Sequence, residues 1–238
     1  MAAMPAARSA AELPALTRTE ASAAVEDIGW RLLLGELCTS VPAGSLAEAG
    51  RLASIVVQAA GAQADGHVRL DLRPDRLQVS VQTRSAGSVT EIDVDLARRV
   101  SAALDGRTVP GGGHPVQTLE IAVDALDIPA VRPFWAAVLG LVDQPGDDEA
   151  LVDPTGRLPA VWFQQMDEPR PQRNRIHLDI TVAHDEADSR VAAALAAGGR
   201  LLSDDRARSF WILADVEGNE VCVCTWQDRD QPGAGPPD

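Results

Sequence analysis

The stretch Asn174-Arg175-Ile176-His177-Leu178-Asp179-Ile180 decides how the chain is read. Apolar Ile176, Leu178 and Ile180 alternate with Arg175, His177 and Asp179, the period-two pattern of a strand with one buried face. The other face then sets an imidazole beside a carboxylate. Residues 117–124 (QTLEIAVD) alternate in the same way and run into a helix with an apolar stripe over 127–139, closed by Gly140. Pro129 is tolerated in the first turn of that helix, whereas Pro133 predicts a late start or an irregular first turn. Strands follow at 151–152 and 161–166. After the 174–180 stretch come a helix over 186–197, closed by Gly198 and Gly199, and strands near Leu201, Phe210 and Val221. In 220–224 (EVCVC), Val221 and Val223 share one face, and Glu220, Cys222 and Cys224 the other. The second half therefore reads as β-α-β-β, twice. Two such units can close around one concave polar surface, where a ligand cavity is expected.

The first half reads as α-β-α-β-β-α. A helix spans 17–27 with Thr17 or Thr19 as its cap, and Gly29 ends it. Residues 30–37 read as one strand. The strongest helix covers 45–60: Leu46, Ala49, Ala53, Val56 and Val57 recur at helical spacing, and Ser45 with Glu48 forms a capping box. Residues 67–72 and 77–83 form a hairpin around Arg73-Pro74-Asp75-Arg76, and a helix over 90–104 starts at Thr90. The whole is an α+β class of fold. Residues 1–14 read as a loose arm, 15–105 as the first domain, 106–115 as a Gly/Pro linker, 116–228 as the second domain, and 229–238 as a disordered tail. His114, in the linker, reads as a solvated loop residue.

Composition narrows the function. With 238 residues, 45% of them hydrophobic, the chain is long enough for a packed core. A net charge of −14 argues against nucleic acid and against an anionic membrane surface, because both reward clustered Lys and Arg. No apolar run is long enough for a membrane span, and the N-terminal residues lack the pattern of a signal peptide. Three cysteines fit a reducing, cytoplasmic setting better than a disulfide framework. Trp135, Trp162 and Trp211 read as core or cavity wall. Asp147-Asp148-Glu149 reads as a solvated turn. No nucleophile elbow and no phosphate-cradling Gly loop is present.

The second half resembles the vicinal-oxygen-chelate superfamily of glyoxalases and bleomycin-resistance proteins. Asp127, Phe134-Trp135 and Leu139-Gly140 follow its D…FY…LG run, Asp215-Val216-Glu217-Gly218-Asn219 its DPxGN turn, and residues 175–179 (RIHLD) the opening strand of a second module. The resemblance implies a ligand site on the concave sheets. Relatives often hold a divalent metal with one ligand from the first and last strand of each module. The corresponding residues here are Glu120, Gln164, His177 and Cys222. The set is poor, since the Gln is weak and a neutral thiol must lose a proton to bind. The expectation is therefore a metal-free organic pocket without a cofactor, with a divalent metal at His177, Glu120 and Gln164 as the alternative.

The first half resembles pterin-4a-carbinolamine dehydratase. Residues 83–97 carry Thr83-Arg84, Gly87, Thr90, Asp93 and Leu96-Ala97 where that family has TH…GLT..D…LA, and Gly29-Trp30 stands at its GW pair. The family dehydrates a carbinolamine with three histidines, two from an HHP run and one after the Thr. Here HHP is Gly66-His67-Val68 and the third His is Arg84, so only His67 remains. Arg84 cannot accept a proton, although it can hold an anion or a carbonyl.

The sequence thus points to a fusion that acts on a small polar organic molecule as a lyase, dehydratase or isomerase. His177 would be the acid/base with Glu120 as its partner; Asp179, Gln164, Trp162 and Cys222 would line the site, and His67 with Arg84 would serve the first domain. The rival reading is a non-catalytic protein that binds or sequesters a metabolite or drug. Hydrogen-bond reach from Glu120 and His177 to one ligand atom would favour catalysis; exposure of both to bulk solvent would favour binding. A homo-oligomer, a dimer through the first domain, is expected.

Overall fold

The computed structural model describes residues 14–108, 116–145, 147–169 and 176–228. The arm through residue 13, His114 with the rest of 109–115, Asn174 and Arg175, and the tail 229–238 lie outside the described residues. The chain divides into two compact units, whose main boundary lies between Thr118 and Leu119. Each unit has its own hydrophobic core.

The first unit begins with α1 (Arg18–Ala23), whose cap Thr17 and N3 residue Glu20 form a reciprocal capping box. The single strand expected over 30–37 is instead a hairpin, β1 (Arg31–Leu33) and β2 (Glu36–Pro42), paired antiparallel. Leu34 and Gly35 turn between them with φ 44° and 76°, the left-handed pair that a tight hairpin turn requires and that Gly35 makes accessible. Alternation alone does not reveal a turn placed inside an apolar run.

Next comes α2 (Leu46–Ala60), capped by the Ser45 side chain on the Glu48 amide. The capping box is only half made: the Glu48 carboxylate reaches the Gly44 amide rather than that of Ser45. Ala49, Ala53 and Val56 are buried, but Leu46 and Val57 are exposed, and Leu52 and Ala60 complete the buried stripe. A short α3 (Ala64–His67) leads into the hairpin β3 (Val68–Arg73) and β4 (Arg76–Val81), and α4 (Glu91–Ala103) follows. The sheet order is β1-β2-β4-β3, antiparallel throughout. Leu37, Val41, Leu77, Val79 and Val81 face the core with Leu52 and Val56 of α2 and Leu96 and Val100 of α4; each such buried side chain contributes about 2 kcal/mol. Residues 106–108, read as linker, fold back on this unit. Arg107 donates to the Pro42 carbonyl and to Glu48, and Thr108 donates to Ser101, whose hydroxyl also accepts from Trp30 Nε1 at 2.8 Å.

The second unit contains two β-α-β-β-β modules: the first has one strand more than expected, at 142–144, and the second has the three strands expected near Leu201, Phe210 and Val221. The first comprises β5 (Glu120–Ala125), α5 (Ile128–Leu139), β6 (Val142–Gln144), β7 (Asp147–Val152) and β8 (Ala160–Gln165). The second comprises β9 (Asp179–Thr181), α6 (Ala187–Ala196), β10 (Arg200–Ser203), β11 (Phe210–Ala214) and β12 (Glu220–Cys224). Sheet orders are β5-β8-β7-β6 and β10-β11-β12-β9. In each module the first strand lies parallel to the last. Residues 147–149 are strand backbone rather than a turn.

Asp127 caps α5, and the helix starts at Ile128 with Pro129 in its first turn; Pro133 sits inside without delaying the start. Both helices feed one core with Phe134, Trp135, Val138, Leu213 and Val223. Gly199 is needed there because a Cβ on it would stand 2.3 Å from the Phe134 ring.

Candidate functional sites

In the first unit the hairpin base brings residues far apart in sequence together. His67 ends α3 and is buried, with 6% of its surface exposed. Its Nδ1 lies 2.7 Å from Oδ1 of Asp93, which is fully buried in the first turn of α4. The other carboxylate oxygen of Asp93 accepts from the amide and hydroxyl of Thr83, at 3.0 and 2.7 Å, and from the amide and hydroxyl of Thr90, at 2.7 and 3.1 Å. A carboxylate with no exposed surface requires such a set of donors. The fixed carboxylate makes Nδ1 the protonated nitrogen of the neutral ring and leaves Nε2 as its proton-accepting atom. Among the described residues Nε2 has no hydrogen-bond partner.

His67 therefore does more than open a strand beside Asp65. The residues that sequence reasoning left unassigned are Asp93, Thr83 and Thr90. Their trace was the Thr-x-x-Asp spacing at 90–93, which reads as a helix cap; the same carboxylate also completes that cap. Arg84 follows Thr83. Its amide donates to the Gly66 carbonyl at 3.3 Å, and its guanidinium to the Val68 carbonyl at 2.8 Å. It lies at the surface, beside the segment that carries His67.

The second unit distributes its candidates differently. Glu120 is exposed at the start of β5, and its register partner on β8 is Ala160. Gln164, also exposed, is paired with Asp124, four positions further along and so about 13 Å away at the strand rise of ~3.3 Å per residue. Trp162 lies between them, partly buried and opposite Ala122. His177 precedes β9 rather than lying in it, because ladder pairing starts only at Asp179, and it is exposed. Asp179 pairs with Cys222. Burial, followed by the neighbouring Asp179 charge, pushes the Cys222 thiol up to about 12, so it stays protonated.

These positions decide whether a metal fits. Glu120 and Gln164 stand at different levels of their sheet, and the Cys222 thiol would have to lose a proton to bind. Among the described residues no three His, Cys, Asp or Glu side chains gather as a metal site would require.

One turn joins the two modules. Asp215, fully buried, accepts from Trp135 Nε1 at 3.1 Å and from the amides of Glu217 and Asn219. The Glu217 carboxylate accepts from the amides of Leu126 and Asp127 at the head of α5. The resemblance to a DPxGN turn thus marks a structural clamp.

Comparison with known proteins agrees with this division. The family model for a glyoxalase-like domain matches residues 120–224, and the model for pterin 4 alpha carbinolamine dehydratase matches residues 14–103. The chain resembles two families in series. A glyoxalase-related enzyme from Fulvimarina pelagi is similar at 20% identity, covering 47% of this chain and 88% of that one, with a TM-score of 0.36. A transcriptional coactivator/pterin dehydratase from Brucella melitensis is similar at 24% identity, covering 38% of this chain and 98% of that one, with a TM-score of 0.34. A glyoxalase/bleomycin resistance protein/dioxygenase family enzyme from Burkholderia phytofirmans is similar at 17% identity, over 44% and 95% of the two chains, with a TM-score of 0.34. No curated protein matches the chain. Among the described residues no helix is long and apolar enough to cross a membrane.

Proposed function

We propose that the chain is a small-molecule lyase of the dehydratase type, with His67 as its proton-transfer group. The observation that carries this reading is the 2.7 Å contact of His67 Nδ1 with the fully buried Asp93. A fixed carboxylate behind an imidazole holds its tautomer and stabilises the imidazolium, as general acid–base catalysis requires. In such a reaction, imidazolium Nε2–H protonates a departing hydroxyl, and water leaves with the C–O electrons. The electrons of a neighbouring N–H or C–H bond form the new double bond, and the proton released there returns to Nε2. The net change is loss of water, and His67 is regenerated. One histidine acting in both steps is a weaker arrangement than three, so a slow turnover of pterin carbinolamine is expected.

The exposure of both Glu120 and His177 supports a different role for the second unit. By the criterion set from the sequence, it favours binding of a small organic ligand over catalysis there, with no metal. The test is dehydration of a pterin carbinolamine by the full chain and by His67→Gln. A measurable rate lost in the variant supports the proposal; equal rates in both, or no rate above solvent, sink it.

A further inference from the structure

Several arginines lie on or beside the β3–β4 hairpin that follows His67, and they differ in one respect. Arg69 is paired with Glu36 at 2.6 Å, Arg73 with Asp71 at 3.1 Å, and Arg76 with Asp75 at 2.8 Å. Arg84 meets no carboxylate among the described residues. Its guanidinium touches only the main-chain carbonyl of Val68, the residue after His67. That contact uses one of the donors of a guanidinium fork and leaves the others free for a planar oxyanion. With its amide on the Gly66 carbonyl and its guanidinium on the Val68 carbonyl, Arg84 brackets His67 along the chain.

A second observation concerns Gly66. Its carbonyl is already tied to the Arg84 amide, and a Cβ added to it would meet nothing within 4 Å. Gly66 is exposed, so the chain just before His67, on the segment that Arg84 borders, is open to solvent. An imidazole backed by a carboxylate and, bonded to the residues on either side of it, an arginine with free guanidinium donors are the parts of a site for a charged substrate.

We infer that Arg84 is an anion anchor: the substrate of the first unit carries a carboxylate or phosphate that this guanidinium holds next to His67. The inference rests on the reading of the first unit as the catalytic one in placing a substrate there. It makes Arg84 a specificity-determining residue that favours an anionic substrate over the uncharged pterin, whose turnover by His67 is expected to be slow.

The test is equilibrium binding to the full chain, followed by NMR of the Arg84 Nε–H and of the amides of Gly66 and Val68. Malonate and inorganic phosphate are the probes. Saturable shifts at these groups are expected with one or both, and the stronger probe identifies a carboxylate or a phosphate as the group held. Arg84→Gln should weaken binding by about tenfold or more, as the loss of a charge-assisted contact implies. Arg84→Lys should keep part of it. Unchanged spectra elsewhere in the first unit establish that the variants fold, and Arg84→His provides a second substitution of different shape with the same expected loss at neutral pH. The inference is overturned if neither anion shifts these groups, or if Arg84→Gln binds as the parent does. The readout does not use turnover. Malonate bound through Arg84, together with a dehydration rate indifferent to His67→Gln, would therefore overturn the proton-transfer reading alone.

Discussion

Asp93 reaches from the first turn of α4 to the imidazole of His67, 26 residues earlier in the chain, and holds Nδ1 at 2.7 Å. The same carboxylate caps the helix through the Thr90 amide, so one side chain serves both stability and the candidate chemistry. Asp93→Ala would leave the amides of Thr83 and Thr90 without their acceptor, at a cost of about 3 kcal/mol. Asp93→Asn keeps an acceptor but removes the charge that stabilises an imidazolium. Denaturant melts should show the first variant much less stable and the second only mildly so. In the dehydration assay Asp93→Asn should lose most of whatever rate depends on His67.

The turn at 215–219 makes a second prediction. Trp135→Phe keeps the ring in the core but removes the hydrogen bond to Asp215. The loss should be about 1 kcal/mol, because the remaining donors still satisfy that carboxylate. Asp215→Ala should cost more, since the amides of Glu217 and Asn219 lose their acceptor as well. Equal melting midpoints for the two variants would contradict the clamp.

Thiol chemistry is also constrained. Burial, then the charge of Glu36, pushes Cys38 up to about 12, and Cys222 stands at the same value. In the native protein at pH 8 both should react slowly with a disulfide reagent, whereas all three cysteines should react at once in denaturant. Metal analysis of protein purified without chelator should find less than about one divalent ion per chain. Stoichiometric metal lost in His177→Ala would contradict the donor argument.

Asp153 gives a pH dependence. Burial by itself would raise its carboxyl, but hydrogen bonds from the hydroxyl and amide of Thr155 and from the amides of Leu158 and Arg157 outweigh it and bring it down to about 2. A carboxyl lowered on folding contributes stability that is present above its unfolded value, near 3.9, and lost as pH falls towards 2. Asp153→Asn should therefore remove part of the stability near neutral pH, about 1 kcal/mol after allowance for solvent screening. The two proteins should converge near pH 2, as followed by thermal melts against pH.

Each core closes within its own unit: the first draws on residues from Leu16 to Leu104, the second on residues from Ile121 to Val223. Residues 116–238 expressed alone should therefore fold cooperatively. An insoluble or molten fragment would show that the second core depends on the first unit.

Short-range chemistry was legible in the sequence. The alternation in 117–124 and 220–224, the caps at Thr17, Ser45 and Thr90, and the helical stripe of α2 announce the α+β class and the two-part organisation, because periodicity and capping act over a few residues. The Leu34-Gly35 turn hid inside an apolar run, and β6 is too short to show a period. The sites required more. That Glu120 faces Ala160 rather than Gln164 is a matter of strand register, which no local pattern sets. That His67 finds Asp93, and that Arg84 comes to lie against Val68, depends on the closure of the β3–β4 hairpin and the docking of α4 beneath it. Residue types and local form were determined by the sequence by itself, while the tertiary structure decided which groups share a dielectric, a partner and a ligand, since those relations arise only when distant segments are packed together.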